Sequence, residues 1–192
     1  MADQLLRRIN QKHELEDLAI YLDTLTHVER YGEILSLKKN DLKELFKIAS
    51  NGITVDDLIP ADFEPLKEVI FWGKNSLPLF SHFQKRMCRS SDGTFLLGYN
   101  HQPLKWITGP GYFVASGHTD RAGEVMIDYT KVPYEKSKDW PAIKSNETGI
   151  GYFVYGGMKD FLRRVSEDVF IGEACKKGQS IGQYFVLCRE FV

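Results

Sequence analysis

The chain has 192 residues, 43% of them hydrophobic and 27% charged, and its 25 basic residues against 26 acidic ones leave a net charge of −1. Such a length supports one domain with a sizeable core, or one domain with a helical appendage, and the composition excludes disordered and fibrous classes. The balanced charge provides no global field for nucleic acid or an anionic membrane, so no nucleic-acid partner is expected.

The first twelve residues carry Asp3, Arg7, Arg8, Asn10 and Lys12 without the apolar run of a secretory signal. No stretch approaches the ~20 apolar residues of a membrane span. A soluble, cytoplasmic protein is the expectation. Cys88, Cys175 and Cys188 are widely spaced, with no Cys-x-x-Cys pair and no cluster of zinc spacing, which predicts reduced, buried thiols.

Residues 1–50 read as helical. Leu5, Leu6 and Ile9, then Leu15, Leu18, Ala19 and Leu22, recur at three- and four-residue spacing. Val28, Tyr31, Ile34 and Leu35 continue the apolar face, and Leu42, Leu45, Phe46 and Ile48 follow with Asn40 as the expected N-cap. Pro60 and Pro65 make 51–65 a connection. Glycine becomes frequent only after Gly73, which divides the chain into a helical segment, 1–62, packed on or appended to a β domain, 63–192.

The pattern turns strand-like over 66–73. A short helix is then expected, capped by Ser76, because Leu77, Phe80, Phe83 and Met87 share one helical face. Ser91-Asp92-Gly93 is a turn, followed by a strand over 94–100. Strands over 112–117 and 124–131 form a hairpin. Residues 132–149 read as a long loop anchored by Trp140, of a length that is often functional. A strand follows over 151–156, then one helical turn at 158 leading into another strand. The last hairpin joins 169–176 to 181–191.

The same strand is written three times: Tyr112-Phe113-Val114 behind Gly111, Tyr152-Phe153-Val154 behind Gly151, and Tyr184-Phe185-Val186 behind Gln183 and Gly182. Because strand side chains alternate, Tyr and Val share one face and Phe takes the other. Both faces are apolar, so both need cover. The expected fold class is mainly β (α+β overall): an antiparallel meander closing into an 8–10-stranded barrel, with material packed outside and the helical segment in front.

The run from Val154-Tyr155-Gly156-Gly157-Met158 through Phe170-Ile171-Gly172, with Lys177-Gly178 and Tyr184-Phe185-Val186-Leu187-Cys188-Arg189, resembles the final hairpins of calycin-type (lipocalin and fatty-acid-binding) barrels. More narrowly, it is similar to uncharacterised bacterial families that carry a Gly-x-Trp-x-Gly box, of which Phe71-Trp72-Gly73-Lys74 keeps Trp-Gly-Lys in a shifted frame. The resemblance covers 66–192. It implies a barrel with a cavity for a fatty acid, another lipid or, less often, haem, and it transfers no binding residue.

A cavity asks for aromatic walls with a few polar groups. Tyr99, Tyr112, Tyr129, Tyr152 and Tyr184 all fall in predicted strands, and each is weighed against a plain core or rim role. Asp128 stands between Ile127 and Tyr129, where a buried carboxylate must be paired, protonated or turned to solvent. Arg163, Arg164 and Arg189 are its candidate partners, or bidentate grips for a ligand carboxylate. An outward surface pair is the plainer reading, and Glu173 is treated alike.

The five histidines are scattered and form no metal motif, so neither metal nor cofactor is expected, with haem a minor alternative. The glycine pairs near 109–111, 149–151 and 156–157 read as barrel turns rather than phosphate cradles.

The leading expectation is a binding module holding a hydrophobic or amphipathic small molecule, lipid or fatty-acid-like. Its expected contacts are Trp72, Tyr99, Tyr129, Tyr152 and Tyr184, with Asp128, Arg164 and Arg189 serving a polar head. A barrel enzyme using Asp128 or His118 for proton transfer is the second reading. The third is an interaction module, in which helices 1–50 meet a protein partner or a second copy of the chain.

Overall fold

A computed structural model describes residues 3–50, 52–77, 81–102, 109–117, 121–146, 152 and 155–191. Five helices precede the strands: α1 (Gln4–Asn10), α2 (Leu15–Asp23), α3 (His27–Leu35), α4 (Lys39–Ile48) and the single turn α5 (Val55–Leu58). Eight strands follow: β1 (Val69–Asn75), β2 (His82–Arg89), β3 (Leu96–His101), β4 (Tyr112–Gly117), β5 (Val125–Asp128), β6 (Met158–Arg164), β7 (Val169–Lys176) and β8 (Gln179–Phe191). Each pairs antiparallel with the next, and β8 returns to β1, so the expected meander is a closed eight-stranded barrel.

Closure removes every sheet edge, and alternation then sends one side-chain set inward. The interior holds Val69 and Phe71 of β1, Met87 of β2, Leu96 of β3, Phe113 and Ala115 of β4, Val125 and Ile127 of β5, Leu162, Phe170, Phe185 and Leu187. In the Tyr-Phe-Val motif of β4 and β8, Phe points in while Tyr and Val point out.

The outer face is covered twice. Helices α1 to α4 lay Leu5, Leu18, Leu22, Ile34, Leu42, Leu45 and Phe46 on Val169, Ile171, Tyr184, Val186 and Cys188 of β7 and β8. The long segment after β5 lays Trp140 over Cys88, Leu97, Tyr99, Tyr112 and Val114, with the Trp140 indole N–H donating to Glu68 at 2.5 Å. The apolar helix face read from the sequence is therefore seated on the barrel. Arg30, itself buried, donates to Asp168 at 2.8 Å, and Arg189 of β8 holds the same carboxylate at 2.8 Å, tying helix to strand. Lys74 of β1 donates to the Leu35 carbonyl at the end of α3.

One barrel end is stoppered by α5. Thr54 caps it with Asp57 answering at the Thr54 N–H (2.8 Å), and Ile53, Leu58 and Ile59 enter the core. Three arginines hold the stopper: Arg189 donates to the Asp57 and Leu58 carbonyls at 2.7 and 3.0 Å, Arg89 to Pro60 O at 2.7 Å and to Ile59 O and Asp56, and Arg164 to Asp57 Oδ1 at 3.1 Å. Guanidinium groups suit the unpaired carbonyls and negative pole of a helix C-terminus.

The local structure departs from the sequence pattern in several places. The segment expected as a helix after Ser76 contains β2, whose Phe83 and Met87 share the inward face as i and i+4 of a strand, a coincidence with helical spacing. The connection 51–65 contains α5. Helix α4 begins at Lys39 with Lys38 as its N-cap and Asp41 accepting from the Lys38 N–H at 2.8 Å, so Asn40 lies inside the helix. Of the strand expected over 151–156, Tyr152 and Tyr155 are helical, and Gly151, Phe153 and Val154 lie outside the described residues. The final turn is the pair Lys177-Gly178, both at positive φ (52° and 79°), the geometry of a tight two-residue hairpin. All three cysteines are free and buried, and burial pushes the Cys88 and Cys188 thiols up to about 12.

Inward glycines let the ring of the directly paired residue on the neighbouring strand lie over them. A Cβ on Gly172 of β7 would stand 2.2 Å from the Phe185 ring, and one on Gly98 of β3 would stand 2.5 Å from the Phe113 ring. Either ring would have to shift to admit the extra carbon. Gly172→Ala is expected to cost about 1–3 kcal/mol by overpacking, read as a lower urea midpoint with unchanged slope.

Candidate functional site

The barrel is filled at its stoppered end and hollow at the other. A cavity of about 240 Å³ opens between the ends of β1, β3, β5 and β7 and the starts of their partners. Its apolar wall comes from Leu77, Phe83, Tyr155, Met158, Ile181 and Phe185, while Asn75, Gln102 and Gln183 add amides.

Four polar side chains meet at the cavity floor. Lys85 of β2, Asn100 of β3, Tyr129 just after β5 and Asp160 of β6 all reach inward from different strands. The Lys85 ammonium donates to Asn100 Oδ1 at 3.1 Å, to Asp160 Oδ2 at 3.3 Å and to the Tyr129 hydroxyl oxygen. Tyr129 donates to Asp160 Oδ2 at 3.0 Å, and Asn100 donates to Tyr129 at 3.2 Å. Three acceptors around three N–H donors make a complete set for a buried lysine. Around it stand the rings of Phe83, Phe113, Tyr129 and Phe185, with Nζ 4.8 to 5.5 Å from their centroids.

The Lys85 side chain is 2% exposed and that of Asp160 5%. Burial pulls the Lys85 amine below its ordinary value, with Asp160 opposing. Burial likewise lifts the Asp160 carboxyl, with Lys85 and the Tyr129 hydrogen bond opposing, and it drives the Tyr129 phenol well up. Both members of the pair are thus pushed toward their neutral forms by the same dry surroundings. Tyr155 stacks on Tyr129 at 5.2 Å between centroids and accepts from Gln102 at 2.9 Å, forming part of the wall.

Of the eight residues expected to contact a ligand, Tyr129 and Tyr184 border this cavity. Tyr184 sits at its rim, its ring 5.5 Å from Phe46 of α4 and its hydroxyl donating to Glu173 at 3.3 Å. The other six lie elsewhere. Trp72 faces outward, donating to Glu190 at 2.6 Å and packing 5.5 Å from Tyr31 of α3. Tyr99 lies under Trp140, centroids 5.1 Å apart. Tyr152 is 53% exposed. Arg164 and Arg189 grip α5 at the stoppered end.

Asp128 is buried on the outer face. It accepts from the Thr130 N–H and hydroxyl at 2.9 and 2.6 Å and pairs with Lys159 at 3.5 Å, the arrangement of a turn-stabilising carboxylate. Glu173 meets Arg121 at 3.3 Å and accepts from Ser180 at 2.7 Å. His118 lies outside the described residues. Among the described residues, no helix is long and apolar enough to cross a membrane.

The sequence reading passed over Lys85, Asn100 and Asp160. Their signal was strand parity: Phe83-Lys85-Met87, Gly98-Asn100 and Met158-Asp160-Leu162 each place one polar residue on the face its neighbours turn to the core. Compared with known proteins, the chain matches no family model and no curated protein.

Proposed function

We propose that this chain is a binding barrel of the calycin kind, taking a compact amphipathic molecule whose polar head rests on Lys85, Asn100 and Tyr129. The observation that carries the reading is the cavity itself: apolar and aromatic walls ending in one convergent polar cluster inside a closed barrel. At about 240 Å³ the cavity holds the volume of roughly eight liquid waters. That is below the roughly 300–1,000 Å³ of pockets for drug-sized ligands, which favours a small molecule over a long acyl chain.

Charge balance favours a neutral head. Lys85 and Asp160 already compensate one another, so an entering carboxylate would leave a net buried negative charge. A carbonyl or hydroxyl adds no charge and accepts from the donors present. Proton transfer through Asp128 has less support, because its oxygens are engaged on the outer face.

Native mass spectrometry of protein purified from its own host, with organic extraction, tests the reading. One equivalent of a compact amphipathic molecule is expected. Ala174 lines the cavity, so Ala174→Leu is expected to weaken uptake of that molecule by about tenfold or more, the equivalent of ~1.4 kcal/mol, with the fold retained. Equal uptake by both proteins would place binding elsewhere.

A further inference from the structure

We infer that Lys85 captures the carbonyl group of a compact aldehyde or ketone as a reversible imine at the cavity floor, with Asp160 carrying the proton. The inference rests on the cavity being a binding site and goes beyond it by assigning a covalent step. Three features converge on it: a primary amine lining a cavity, a carboxylate 3.3 Å from that amine, and side-chain exposures of only 2% and 5% for the two groups.

A lysine is an amine nucleophile only after it loses a proton. Here the acceptor is in place. Transfer from Nζ to Asp160 Oδ2 leaves an amine and a carboxylic acid, removing both charges from a low-dielectric interior without changing the total. The neighbours facing Nζ are Asp160, Tyr129, Asn100 and the three phenylalanine rings of Phe83, Phe113 and Phe185. None brings a second cation, so the depressed amine basicity arises from burial.

The step balances with no further reactant. The Nζ lone pair forms a bond to the carbonyl carbon, the C–O π pair moves to oxygen, and Asp160 gives that oxygen a proton while recovering one from nitrogen. The product is a carbinolamine. A second proton from Asp160 lets the hydroxyl leave as water while the nitrogen pair forms the C=N bond, and the last nitrogen proton returns to Asp160. One water is released, nothing is oxidised or reduced, and the reverse path is hydrolysis. Tyr129, which donates to Asp160 and accepts from Lys85, holds the two groups in register.

The surface lysines differ in setting. The side chain of Lys47 is 57% exposed and that of Lys159 is 38% exposed, so neither amine is enclosed as Lys85 is.

The test uses the full chain at neutral pH with hexanal and benzaldehyde, each trapped by cyanoborohydride, followed by peptide mapping. Hexanol and benzyl alcohol fill the same space without an electrophilic carbon and serve as binding probes and competitors. The expected result is one reduced adduct per chain, mostly on Lys85, lost when the matching alcohol is in excess. If the alcohols bind in the cavity and Lys85 stays unlabelled, the imine is overturned while the binding reading stands. If neither alcohol nor aldehyde binds, both fall. Because the mapping is done on the unaltered protein, the result does not depend on whether a Lys85 variant folds.

Discussion

Lys85→Met is expected to lower stability by about 3–5 kcal/mol at neutral pH, because it strands Asp160 in the barrel interior without its cation. In a domain of this size that is a fall of roughly 10 °C in Tm. Adding Asp160→Asn removes the stranded charge while keeping an acceptor for the Tyr129 hydroxyl, and most of the loss is expected to return. The pH profile carries the sign. Burial already lifts the Asp160 carboxyl, and losing Lys85 removes a group that opposed the lift. A carboxyl raised in the folded state contributes stability that is fully present below its unfolded value near ~4, and that stability is lost as pH rises through the folded value. The gap between Lys85→Met and the parent should therefore widen from acid to neutral pH, measured as urea midpoints. A constant gap would mean that Asp160 is not the group left exposed to the change.

Deleting residues 1–50 is expected to abolish the cooperative fold. The deletion uncovers Val169, Ile171, Tyr184, Val186 and Cys188 on neighbouring strands. At about 1.5–3 kcal/mol for each large apolar side chain, the exposure is on the order of 10 kcal/mol, comparable with the whole stability of a domain. The deletion also removes Arg30, leaving Asp168 to Arg189 alone. Circular dichroism and thermal unfolding of residues 51–192 decide the matter: an unchanged transition would show the helices to be a detachable arm, available for a partner.

Period-two reading recovered most of the sheet because the Tyr-Phe-Val motif of β4 and β8 leaves little choice of backbone. What it did not distinguish was inside from outside. Tyr99, Tyr112 and Tyr184 lie on a face as apolar as the interior, since helices or Trp140 cover it, and parity alone assigns two faces without saying which is which. The polar floor was harder still. Lys85 finds its partners 15, 44 and 75 residues downstream, and only closure of the barrel brings Asn100, Tyr129 and Asp160 to it. A lysine in a strand reads as solvated until those contacts are known. The helical expectation at β2 added to this, because it grouped Phe83 with Met87 while passing over the lysine between them.

The placement of β8 sets the order in which the chain becomes a protein. This strand completes the ring by pairing with β1, and its outer face is also the main seat of α3 and α4. Helices α3 and α4 therefore have their main partners at 169–191, and before those strands exist their apolar faces have only the other helices and β1 to pack against. During synthesis most of that cover comes late, with β7 and β8. Such distant pairing predicts slow folding and a nascent chain that depends on chaperones, one for which losing a few residues of the last strand is as damaging as losing the first fifty.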